Sequence, residues 1–139
     1  MAITTAICDS FKEDLVRGIH NFTTDTFKLA LYTNSATLNK NTVTYVTTGE
    51  VTGTGYTPGG VTVTNLTITN LSGTIIINFD NIVFTNATFT ARGALLYNSS
   101  KSNKAVAVWD FGSDKIVNNS NFTIVVPPPS QSAAVLRIT

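Results

Sequence analysis

Threonine and asparagine supply 38 of the 139 residues, while Asp, Glu, Lys and Arg together supply 12%. No other feature constrains the fold as strongly. Threonine is β-branched and suits a pleated, half-buried surface, and asparagine suits the turns that join strands. A chain that solvates itself with neutral hydroxyls and amides is also poor in the groups that perform acid–base, metal or phosphate chemistry. The composition points to a β-rich architecture and away from catalysis.

The length fits a single domain, residues 1–139, able to bury a core without disulfide or metal staples. An apolar content of 42% and a mean hydropathy of +0.17 fit a compact globular protein. Nine basic against eight acidic residues give a formal charge of +1. Such a balance provides no basic stripe, so no nucleic-acid partner is expected. Low net charge also removes a brake on self-association. No apolar run reaches bilayer length, so no membrane partner is expected either. The opening Met1-Ala2-Ile3-Thr4-Thr5-Ala6-Ile7-Cys8-Asp9 lacks the charged and apolar regions of a signal peptide, which implies a cytoplasmic protein. Asn-x-Ser/Thr triplets, Asn21 and Asn65 among them, arise by chance in this composition and mean nothing without secretion.

The fold class expected is α+β: one N-terminal amphipathic helix packed on an antiparallel β-sheet or sandwich of about eight short strands. Ile3, Ile7, Phe11, Leu15 and Ile19 recur every four residues, which predicts a helix over about 3–19. Gly18 and Asn21 supply its stop, and Ser10-Phe11-Lys12-Glu13 offers a competing start as a capping box. The rest, 26–139, reads as strands. Phe27, Leu29 and Leu31 alternate with Lys28, Ala30 and Tyr32. Residues 43–47 are a weaker candidate. Val61 and Val63 fall out of phase with Leu66 and Ile68 at Asn65, which suggests a β-bulge. Ile75-Ile76-Ile77 with Phe79, then 82–84, 93–97, 105–111, 122–126 and 133–138, complete the set. Asn98–Lys104 reads as a hairpin loop and Asn118–Asn121 as another turn. Pro127-Pro128-Pro129 halts the strand before it.

Candidate sites are few. Gly49–Gly60 is glycine-rich, but the residues that follow read as a strand. A phosphate-cradling loop needs a helix there, so a surface loop is the better reading. Within it, Tyr56 reads either as a surface contact residue or as a cover over the core edge. Asp110-Phe111-Gly112 matches a kinase triplet by letters alone. It reads as a strand end and turn, and a cation between Asp110 and Asp114 would lack the usual oxygen ligands. One Cys and one His fall short of a zinc site. On a regular helix Cys8 and His20 would stand about 18 Å apart, too far for a nucleophilic pair. No catalytic, metal-binding or cofactor-binding residue, and no cofactor, is expected. Cys8 keeps two readings open: a small buried hydrophobe, or an accessible thiol that forms a disulfide with another chain.

The runs Met1–Cys8, Ser10-Phe11-Lys12, His20-Asn21-Phe22 and Phe27–Thr33 resemble a family of small tailed-phage proteins. So do Glu50-Val51, Gly53–Tyr56, Phe89–Ala94 and Asp110–Lys115. The likeness runs nearly end to end and is greatest to phages of aquatic bacteria, cyanobacterial phages included. The resemblance implies a non-enzymatic, virion-associated structural protein, found in the host cytoplasm and in particles. Its expected partners are further copies of itself, as a homo-oligomer or Cys8-linked dimer, and other virion proteins. The alternative is a non-virion phage protein that binds a host target in the infected cell.

Overall fold

A computed structural model describes residues 2–127, 130 and 134–139. In chain order the elements are β1 (Ala6–Ile7), α1 (Asp9–Val16), β2 (Phe27–Tyr32), β3 (Val61–Thr62), β4 (Thr67–Leu71), β5 (Thr74–Asn78), β6 (Ile82–Asn98), β7 (Lys104–Ile124) and β8 (Leu136–Ile138). Strands β1-β7-β6-β2-β3 form one sheet and β4-β5-β8 a second. Every strand pair is antiparallel. The α+β class is therefore correct: one helix beside an antiparallel array of eight strands. Ile77, Phe79 and Leu136 from the second sheet join the same core as Leu29, Leu31 and Leu95 from the first.

The helix is shorter than the four-residue spacing implies. Its first two apolar residues are taken by strand contacts: Ile3 bridges Leu38, and Ile7 pairs with Ala107. Only Phe11 is buried on α1 itself, its ring tilted against His20 and edge-on to Phe22. Cys8 occupies the N-cap without a side-chain bond to the helix, and Ser10 lies inside the first turn. Gly18 ends the helix as expected, at φ +76°, with the Ile19 amide bonded back to the Asp14 carbonyl. That wrap is the left-handed C-terminal cap that glycine permits.

β6 and β7 dominate the molecule. The sequence marks each as two short strands, but each runs unbroken, joined by the expected turn after Asn98. The interruptions are absorbed as bulges. Asn86 and Asn119 both adopt left-handed backbone (φ +50° and +49°) where the register shifts. Asn118–Asn121 is thus a bulge inside β7 and not a turn, since asparagine tolerates that conformation in either setting. Three further residues bulge out near Gly112, between the pairs Ala91↔Lys115 and Gly93↔Asp110.

At Asn65 the phase slip marks a change of sheet. β3 ends at Thr62 in the first sheet, and β4 begins at Thr67 in the second. Asn65 turns the corner at φ +54° and donates to Asp80 Oδ2 at 2.6 Å. Ile68 stays exposed beyond the switch, so the apolar set is not kept buried there as a bulge would keep it. Leu71 and Thr74 close a two-residue hairpin through Ser72-Gly73, both at positive φ, as a primed turn requires. Residues 43–47 form only an isolated bridge, Thr44 to Lys104. Pro128, Pro129 and residue 133 lie outside the described residues, and of that last candidate strand only Leu136–Ile138 is in the ladder.

Candidate functional site

Between the two sheets lies a cavity of about 290 Å³. Leu29 on β2, Ala94 on β6, and Trp109 and Phe111 on β7 line one side, and Phe79 and Val135 line another. Trp109 and Phe111 are two positions apart on one strand, the spacing that puts side chains on a common face. Both rings are only partly buried although they pack against the core. Asp110 lies between them, and its carboxylate accepts from Arg92 Nε at 2.8 Å. The volume sits at the small end of ligand sites, and a lining of aromatic and aliphatic groups is typical of them.

The sequence marks Tyr56 as a surface contact residue or a cover over the core edge; the structure makes it a cover. It is buried, its ring packing against Phe84 and Phe89. Its hydroxyl donates to Glu50 Oε2 at 2.6 Å and accepts from the Leu31 amide at 3.0 Å. Tyr45 donates to Glu50 Oε1 at 2.6 Å, and the Gly59 amide donates to Oε2 at 2.7 Å. Burial first, and then the Glu50 carboxylate, push the Tyr56 hydroxyl far above its ordinary pKa. It stays protonated. The glycine-rich loop is a tethered lid on the sheet, with every polar group of this cluster in use.

His20 belongs to a second network. Its Nδ1 lies 3.0 Å from Asn98 Nδ2, and the same amide nitrogen donates to Asp25 Oδ2 at 2.8 Å. Lys101 completes the group with a 2.6 Å ion pair to Asp25 Oδ1. The Cys8 thiol has a different neighbour, the Asn39 carbonyl at 3.9 Å. The structure does not bring Cys8 and His20 together.

The intermolecular disulfide is overturned. Cys8 is the one cysteine of the chain, and it is fully buried. Burial, and secondarily the Asp9 carboxylate, push its thiol up to about 11, so the reactive thiolate is suppressed as well as shielded. A Cys8-linked dimer, and the self-association built on it, go with that finding. The cation imagined between Asp110 and Asp114 has a protein counterpart: the Arg92 guanidinium, 2.8 Å from one and 4.0 Å from the other.

Among the described residues no group of three or more His, Cys, Asp or Glu side chains could hold a metal ion. No helix among them is long and apolar enough to cross a membrane. His20 and Asn98 are the pair that sequence reasoning missed, since 78 residues separate them. No family model matches the chain, and no curated protein or solved structure matches it. The virion role, and with it the host-target alternative, has neither a disulfide nor a relative behind it.

Proposed function

We propose that this chain is a non-enzymatic binding module that holds a small apolar molecule in the cleft at Trp109 and Phe111. The observation that carries the reading is the pair of half-exposed aromatic rings facing an aliphatic wall across about 290 Å³. Its size suits a ligand of one or two ring systems or a short aliphatic chain. The ionisable groups described above are bound to structural partners: Glu50 by two tyrosines, Asp25 by Lys101, Asp110 by Arg92. A tailed-phage origin, implied by the sequence resemblance, remains part of this proposal.

Trp109 is the only tryptophan, so its fluorescence reports on the cleft directly. Titration with N-phenyl-1-naphthylamine, a neutral apolar probe, should quench Trp109 saturably by energy transfer. Phe111→Asp should weaken that uptake at least tenfold while leaving the far-ultraviolet circular dichroism unchanged. Val126→Asp, at the cleft margin, provides an independent variant. Linear, non-saturating quenching in the wild type would overturn the reading.

A further inference from the structure

We propose that His20 is an acid-sensitive latch, fastening the connection between α1 and β2 to the turn end of the β6–β7 hairpin and releasing it on protonation. The geometry fixes the state of the imidazole. Asn98 is fully buried, and both ends of its amide are committed. Its Oδ1 accepts from the Ser100 amide at 3.0 Å, and its Nδ2 donates to Asp25 Oδ2 at 2.8 Å. The second hydrogen of that nitrogen points to His20 Nδ1. Nδ1 must therefore be an acceptor, which leaves His20 neutral with its hydrogen on Nε2.

A proton taken from solvent onto Nδ1 would set two donors against each other at 3.0 Å. Turning the Asn98 amide does not rescue the contact. It would face an NH₂ group to the Ser100 N–H and withdraw the donor from Asp25. The other ring nitrogen gives no relief either, because Nε2 is buried with no hydrogen-bond partner. The cation would stand in an apolar setting of Phe11 and Phe27 with nothing accepting from it.

Charges of both signs face the ring from the neighbouring elements, the two carboxylates outweighing the two lysines but not the burial. Asp14 on α1 and Asp25 before β2 favour the cation, while Lys101 in the turn and Lys104 on β7 oppose it. Each carboxylate is also engaged by a lysine, Asp25 by Lys101 at 2.6 Å and Asp14 by Lys104 at 3.8 Å. Burial is the largest influence and moves the titration below the ordinary histidine range. On acidification the network opens at His20, freeing residues 17–25 and the end of α1. The Thr26–Ser99 and Thr26–Ser100 bonds keep the far end of the connection attached.

Hydrogen exchange read by mass spectrometry at several pH values tests the latch. After correction for intrinsic rates, peptides covering 11–25 should exchange at least tenfold faster at pH 5 than at pH 7.5. Peptides from β2 and β6 should change little. His20→Gln presents a neutral acceptor to Asn98 at every pH and should abolish the dependence. Should that variant fail to fold, the imidazole resonances of the wild type decide alone. Titration below the ordinary range, with the 11–25 exchange following it, supports the latch. Titration at or above the ordinary range, or protection of 11–25 unchanged down to pH 5, overturns it.

Discussion

The Tyr56 hydroxyl joins two elements 25 residues apart, accepting from the buried Leu31 amide while donating to Glu50. The Leu31 N–H thereby gains a side-chain partner, while its carbonyl accepts from the Val51 amide at 2.9 Å. Tyr56→Phe keeps the ring packing but strands the Leu31 N–H and removes a donor from Glu50. The expected loss is about 2 kcal/mol, since an unsatisfied buried group costs about 1–3 kcal/mol. Urea denaturation at neutral pH should show a lower midpoint with an unchanged slope.

Cys8 should be silent in the folded protein. A thiol reagent is expected to find no reactive group natively and one per chain in denaturant, because the side chain is wholly buried and its pKa is pushed up to about 11. A non-reducing gel should show only monomer. Cys8→Ser replaces a weakly polar group with a hydroxyl and should cost about 1–3 kcal/mol.

Asp25 makes the fold sensitive to acid. Burial acts to raise its pKa, but bonds from Lys101, Asn98 and the Asn21 amide outweigh that and bring it to about 2, against an ordinary value of 3.8. The charged form is thus favoured by folding, and its contribution is complete above pH 3.8 and lost as pH falls toward 2. Asp25→Asn should lose about 2 kcal/mol at pH 7. The gap to the wild type should close across that acid window in pH-dependent denaturation curves.

Two glycines at similar backbone angles should respond differently to alanine. Gly60 and Gly73 lie at φ +80° and +94°, where a Cβ costs about 1–2 kcal/mol. At Gly73 nothing else stands within 4 Å, whereas at Gly60 the new carbon would run into the Leu29 carbonyl. Gly73→Ala should lose only the conformational cost. Gly60→Ala should lose a further 1–3 kcal/mol or so through overpacking between β2 and the loop. Thermal melts of the two variants, compared side by side, check the difference.

What the sequence reveals here is whatever depends on near neighbours. Alternation in Phe27–Tyr32 identifies β2, and Asn98–Lys104 identifies the turn, because both signals are local. The four-residue spacing of Ile3 and Ile7 misleads, since the partners that claim these residues, Leu38 and Ala107, are distant in sequence. Asn86 and Asn119 look like turn residues, and only the partner strand makes them bulges. The cleft is less legible still. Trp109 and Phe111 share a face by strand periodicity, but Phe79 and Val135 reach them only once the second sheet is in place.

The pairing of β1 with β7 also sets an order of events at the ribosome. Ala6 meets Val108, and the Asp110 amide donates to Thr5 Oγ1 across 105 residues. At synthesis rates of about 5–20 residues per second, the first strand waits roughly 5–20 s for its partner to be made. Throughout that interval the N-terminal tract has the segment at Leu38 and Lys40 as a backbone partner but not β7. A chain stalled before Val106 would leave the Cys8 amide without its carbonyl partner, while the Phe11 ring would already have His20 and Phe22 to pack against.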